Sequence, residues 1–217
     1  MIFKLVIRKF MDYTPYKQFE LRRKFWKFFG AEISVFDTPS QAMIGFIKMK
    51  AWKLREDVRL YTDKSMQQEV LQIHARQILD IGATYDVSDS ASGQVLFSLR
   101  RKGLKSIFVR DQWDILDPTG NVTGQVQETS GTLALMRRWL SMLSDLFDLV
   151  FAFVAQTYDV TVDNGGQPAL IAKIVHKKNP FLVRMAVDTS MAQVQTDPRL
   201  VIAAASMLSI IDASKNN

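Results

Sequence analysis

The stretch Asp197-Pro-Arg-Leu-Val-Ile-Ala-Ala-Ala-Ser-Met-Leu-Ser-Ile-Ile-Asp212 decides how the rest of the 217-residue chain is read. Its spacing predicts a helix over 197–212 that is apolar on every side, with only Ser206 and Ser209 interrupting the run between Arg199 and Asp212. A helix on a protein surface keeps a polar face, so one without it is buried all round. Thr196 or Asp197 can cap its first turn, and Pro198 sits where a missing N–H costs nothing. With about a dozen apolar residues the run is short of the ~20 that a bilayer core requires. The other residues must therefore wrap around it.

What wraps it is a recurring unit, an alternating run that ends in Asp, a short polar turn, and a second alternating run. The instances end at Asp37, Asp63, Asp89, Asp117, Asp163 and Asp188, at steps of 26, 26, 28, 46 and 25 residues. Each unit predicts a β-hairpin. Asp, Asn, Gly, Ser and Pro at the turns bond their own backbone or permit positive φ. Period-2 alternation in runs such as Gln94-Val-Leu-Phe-Ser-Leu-Arg100 lets one face of each strand be buried. Ten to twelve such strands in sequence predict an antiparallel barrel or sandwich, and the period is too short for propeller blades of about 40 residues.

The long step holds an exception. In 132–155, Met136, Trp139, Leu140, Leu143, Leu146, Phe147 and Val150 recur at steps of three and four, while Arg137, Arg138, Ser141, Ser144, Asp145 and Asp148 occupy the other side. That pattern predicts an amphipathic helix over about 132–150, inserted between hairpins. Its end, 149–155, is equally able to open the next strand.

Three runs, Phe19 to Asp37, Ala51 to Asp63 and Gly82 to Val87, together with the terminal Asp197-Pro-Arg-Leu-Val-Ile-Ala-Ala-Ala, resemble the LURP-one-related family. The likeness runs from about Lys17 to Ile211. That family shares the tubby C-terminal-like fold with phospholipid scramblases, so the resemblance implies one domain over 1–217. The implied fold is a closed antiparallel barrel of about twelve strands around a central hydrophobic C-terminal helix. Tubby proteins are known as phosphoinositide-binding, membrane-tethered modules, and scramblases as calcium-linked lipid-associated proteins. Here the chain departs from the scramblases: it has no cysteine, and none of its Asp-rich turns fits a calcium loop.

Composition narrows the function further. Lack of cysteine excludes disulfides, cysteine-ligated metal and thiol nucleophiles, and the charged start Met-Ile-Phe-Lys-Leu-Val-Ile-Arg does not read as a signal peptide, so a cytoplasmic location is expected. Only His74 and His176 offer imidazole bases, each in an alternating strand where a rim or edge position is expected, and no nucleophile elbow, phosphate loop or dinucleotide fingerprint occurs. No enzyme activity, metal site or cofactor is expected.

The net charge of +6 is already present in residues 1–30, where eight Lys or Arg face Asp12 and Glu20. Such asymmetry suggests a polyanionic partner. The candidate anion-binding residues are Arg22, Arg23, Lys24, Lys27, Lys48, Lys50 and Lys53, with Trp26 and Trp52 beside them to enter a lipid interface. The expected partner is an anionic phospholipid or membrane surface, at the inner face of the membrane. A second reading is docking of a protein partner or a second copy through Met136, Trp139, Leu143 and Phe147. Nucleic acid is not expected, because no helix combines a basic face with base-reading polar residues.

Overall fold

The computed structural model describes residues 12–26, 30–49, 58–76, 82–102, 112–130, 155–177 and 183–215. Among the described residues, twelve strands precede one helix. They are β1 (Gln18–Trp26), β2 (Gly30–Asp37), β3 (Met43–Met49), β4 (Val58–Tyr61), β5 (Glu69–Ala75) and β6 (Thr84–Asp89), then β7 (Val95–Arg101), β8 (Gln112–Leu116), β9 (Val122–Glu128), β10 (Gln156–Asn164), β11 (Gln167–Lys177) and β12 (Val183–Asp188). The helix, α1, spans Pro198–Lys215. Each strand pairs with its neighbours in sequence and β1 closes the circle against β12, so the sheet is a closed antiparallel barrel with no free edge. The inserted helix expected over 132–150 falls outside the described residues.

Alternation puts the core inside. In β1, Phe19 and Leu21 face inward, as do Ile33 and Val35 in β2 and Tyr85 and Val87 in β6. The interior is filled by α1, whose residues Leu200 to Ile211 are buried without exception. Three consecutive alanines, Ala203 to Ala205, let strand side chains approach this rod closely. Ser206 is accommodated there because its Oγ donates to the Ile202 carbonyl at 2.5 Å within the helix.

The six repeated aspartates all serve as turn formers. The Asp37 carboxylate accepts the Ser40 amide and hydroxyl, Asp63 the Ser65 amide, and Asp89 the Ala91 and Ser92 amides. Asp117 accepts the Thr119 and Asn121 amides, Asp163 the Gly166 amide, and Asp188 the Ser190 amide. The hairpins β2–β3, β4–β5, β6–β7, β8–β9 and β10–β11 each carry a register shift, which adds local twist on the way into the turn. In an up-and-down barrel every second connection lies at the same end. These five turns, and the strap 189–197 leading into α1, therefore share one end, called here the turn end. The strand ends Trp26, Met49, Ala75, Arg101, Glu128 and Lys177 lie at the other, far end.

The helix is pinned at its turn-end terminus. Asp197 caps it by accepting the Arg199 amide at 2.9 Å. Arg199 Nη1 donates to Asp89 Oδ2 at 2.7 Å, while Nε and Nη2 hold Asp197. Burial alone raises the Asp89 carboxyl, but the Ser92 bonds and the Arg199 guanidinium outweigh it and leave it below the ordinary value of 3.8. Asp117 is drawn down to about 2, first by the Thr119 hydroxyl and then by the Asn121 amide. A depressed carboxyl contributes stability that is complete above its unfolded value and is lost as pH falls through its folded value. The melting temperature is accordingly expected to hold steady above about pH 4 and to fall between there and pH 2. Arg199→Met strands Asp89 and is expected to cost about 3 kcal/mol at pH 7, with a shallower acid decline, read by thermal denaturation across that range.

Candidate functional site

The barrel is electrically polarised along its axis. Among the described residues, the turn end carries the six repeated aspartates together with Asp12, Glu69 and Asp197, against the cations Lys17, Lys64 and Arg199. Its hairpins need carboxylates to bond their own amides, so this acidity is a by-product of turn chemistry. Toward the far end the balance reverses. The outer faces of adjacent strands present Lys177 on β11, Arg184 on β12, Arg22 on β1, Lys48 on β3 and Arg59 on β4. Register sets Lys177 opposite Arg184, Arg184 opposite Arg22, and Lys48 opposite Arg59. Lys24 holds the position opposite Glu32.

Three glutamates partly neutralise this row. Glu20 receives Arg22 Nε at 2.6 Å and lies 3.8 Å from Arg184 Nη1. Glu32 lies 3.6 Å from Lys48 Nζ, and Glu69 2.9 Å from Arg59 Nη1. The cationic side chains of these pairs are 30 to 46 % exposed, so the pairs are surface contacts worth about 0–1 kcal/mol each. Arg22 also bonds Gln41 Oε1 and covers the Phe36 ring at 4.6 Å, which fixes its guanidinium on the outer wall.

Arg23 does not belong to this surface. Period-2 alternation turns it to the side of Phe19 and Leu21, where it is 5 % exposed and donates from Nη1 to the Ser209 carbonyl at 2.8 Å. There it ties β1 to the backbone of α1 from inside the barrel, through a charge-assisted hydrogen bond. Its expected role at a membrane is corrected to one inside the barrel. His176 is corrected too: it is fully buried on the inward face of β11, alongside Ala172 and Ile174, and is neither rim nor edge. His74 lies on the exposed face of β5 at the register position opposite Asp86.

The remaining candidates, Lys27, Lys50, Lys53, Trp52, Met136, Trp139, Leu143 and Phe147, lie outside the described residues. Trp26 ends β1. The segments that hold them leave from strand ends Trp26, Met49 and Glu128, all at the far end. Sequence reading missed Arg101, which stacks its guanidinium 5.9 Å from the Trp113 ring, itself 5.9 Å from Tyr85. Alternation with Phe97 and Leu99 was the available signal for this inward arginine.

Two hollows open at the turn end. One, of about 690 Å³, is lined by Glu69, Asp89, Ser90, Ser92 and Arg199. Its charges are already bound to one another, Arg199 to Asp89 and Ser90 Oγ to Glu69 at 2.8 Å. The other, of about 440 Å³, lies between residues 13–19 and the strap. Among the described residues no cluster of three or more His, Asp or Glu is placed to hold a metal ion, and no helix is long and apolar enough to cross a membrane.

A sequence model of the LURP-one-related family matches residues 43–209. No curated protein and no solved structure matches the chain. The match begins at β3 and leaves out β2 and β1, the latter being the strand that carries Arg22 and Lys24 and closes the barrel against β12. It covers the other ten strands and runs into α1 as far as the carbonyl that Arg23 holds. With most of its length matched, the chain belongs to the LURP-one-related family.

Proposed function

We propose that this domain is a non-enzymatic binding module that docks, far end first, onto an anionic membrane surface or a phosphoinositide-type headgroup at the inner face of the membrane. The observation that carries the reading is the outward row Lys177, Arg184, Arg22, Lys48 and Arg59 across neighbouring strands, which runs from mid-barrel at Arg22 toward the end opposite the aspartates. A charge dipole of this kind orients the domain before contact, turning its basic end to the surface and its acidic end away. Each Lys or Arg near an acidic leaflet contributes about 1 kcal/mol. The exposed glutamate pairs are weak enough to give way to lipid phosphates. The resemblance to tubby domains points the same way, and the five described cations stand against three glutamates, so the row keeps an excess of positive charge.

Vesicle sedimentation tests the proposal. The domain is expected to sediment with vesicles containing phosphatidylserine or a phosphoinositide and to stay in solution with neutral phosphatidylcholine vesicles. Added salt is expected to release it, since the Debye length shortens to about 3 Å at 1 M. Lys177→Glu combined with Arg184→Glu is expected to weaken binding by about tenfold or more without lowering the melting temperature appreciably. Equal binding to neutral and acidic vesicles, or none to either, sinks the reading.

A further inference from the structure

Three large apolar side chains are exposed among the described residues, Met66, Val122 and Met191, at 40, 49 and 64 %. All three lie at the turn end: Met66 in the β4–β5 turn, Val122 where β9 leaves the β8–β9 turn, and Met191 in the strap. Half-buried Val70 and Leu96 add apolar surface in the wall of the hollow of about 690 Å³. Acid surrounds this surface, since the nine carboxylates of the turn end are set against only Lys17, Lys64 and Arg199. A single exposed hydrophobic residue needs no explanation. Their confinement to the end that also gathers the carboxylates describes a surface for a chain that is both apolar and basic.

Met66 carries a second sign. Its φ of 55° is left-handed, a conformation that disfavours any residue with a Cβ, and two other turns at this end place Gly93 and Gly120 where φ is positive. Gln41, at φ 57°, is the other non-glycine exception, and its side chain is in use: it accepts from Arg22 Nη2 at 2.7 Å and donates to the Thr38 carbonyl at 2.7 Å. The Met66 side chain has no such bond among the described residues and stands in solvent. Backbone strain kept at an exposed, adaptable apolar residue points to a contact made there.

A segment of that chemistry is attached at the same place. Residues 1–11, Met-Ile-Phe-Lys-Leu-Val-Ile-Arg-Lys-Phe-Met, lead into Asp12, which is exposed at the turn end. They hold Lys4, Arg8 and Lys9 and no carboxylate, and at period two Phe3, Leu5 and Ile7 share one face. A closed sheet of twelve strands, about 4.8 Å apart and tilted by about 40°, is roughly 24 Å across. Eleven extended residues reach about 36 Å, enough to cross that mouth. Attachment at Asp12 also keeps the segment at an effective concentration on the order of millimolar. We propose that residues 1–11 dock in cis across the turn end, with Phe3, Leu5 and Ile7 on the apolar surface around Met66, Val70 and Leu96 and with Lys4, Arg8 and Lys9 among the carboxylates. The described residues of this end carry an excess of six negative charges, which the segment halves, so the end stays acidic. The contact depends neither on the basic row nor on lipid.

A synthetic peptide of residues 1–11 and full-length chains test the proposal by calorimetry. The triple variant Lys4→Glu, Arg8→Glu, Lys9→Glu is expected to leave the turn end vacant and to bind the peptide in trans. The wild-type chain, with its own segment in place, is expected to bind it about tenfold or more weakly. A peptide carrying the same three changes is expected to bind neither chain. Met66→Gly added to the triple variant relieves the left-handed turn, so it is expected to hold or raise the melting temperature while weakening the peptide about fivefold or more. Equal binding of the peptide by the wild-type and triple-variant chains, no binding by the folded triple variant, or binding unchanged by Met66→Gly overturns the proposal. Light scattering separates one chain from two: a wild-type dimer that the triple variant dissolves into monomers would place the segment on a second copy and overturn docking in cis.

Discussion

A chain ending at Thr196 is expected to show neither near-ultraviolet dichroism nor a cooperative thermal transition, although all twelve strand sequences are present. Leu200, Val201, Ile202, Met207, Leu208, Ile210 and Ile211 are each 8 % exposed or less. At about 1.5–3 kcal/mol for each large apolar side chain, their burial contributes on the order of 10–20 kcal/mol, an upper bound because the unfolded chain is already partly collapsed. That matches or exceeds the net stability of about 5–15 kcal/mol available to a typical domain. The loss does not stop at the helix. Ile33, Val35, Val87 and Ile174, none more than 1 % exposed, would line a void. Arg23 would keep its charge inside the barrel without the Ser209 carbonyl. A soluble truncated protein with native strand content and a sharp melt would falsify this account of the rod.

Gly124→Ala is expected to cost about 3 kcal/mol or more. Gly124 sits in β9 between Ile115 on β8 and Val162 on β10. A Cβ there would lie 2.4 Å from the Thr161 carbonyl oxygen and 3.1 Å from the Val162 Cα. Both are backbone atoms of β10, just past the register shift between Val160 and Thr161, and β10 is held on its other side by β11. Neither atom can swing away as a side chain can. For a domain of this size the melting temperature is expected to fall by roughly 6–12 °C. Gly45→Ala is the control, because the one tight approach of its added Cβ would be to Leu60 Cδ1 at 3.2 Å, the end of a side chain, with Val35 Cβ and Cγ2 in ordinary contact at 3.5 Å. A cost at Gly45 equal to that at Gly124 would show that lost strand flexibility, rather than the close approach of β10, sets the effect.

The parts of this fold written most plainly in the sequence are those that local chemistry decides. Asp37, Asp63, Asp89, Asp117, Asp163 and Asp188 mark turns because a carboxylate two to four residues before an amide bonds it directly, and each does so. Their placement at one end was implicit as well, since a unit of two strands must bring its turn back to the same end. The rod over 200–211 was legible because no face of it could meet water. Arg23 and His176 were misread because residue type was weighed above position: Leu21 and Ile174, two residues away, had already turned those faces inward. The Tyr13 hollow left no trace in the sequence, since it arises where the start of the barrel meets the strap before α1, some 180 residues apart in the chain. The basic row was half legible. Its β1 and β3 members were read as charges, but Lys177 and Arg184 join them only through the closing pair β1–β12.

That closing pair also sets the order of assembly. Gln18 meets Asp188 across 170 residues of chain, whereas every other strand pair joins neighbours in sequence. Hairpins can form as the polypeptide is made, but the seam between β1 and β12 is the most distant contact and the last whose loop entropy is recovered. The rod follows all twelve strands in the chain, and it must lie inside before the seam shuts. Until α1 has emerged the strands have nothing to fill the concave face they would enclose, so the interval before the helix is made is expected to be the one most exposed to aggregation.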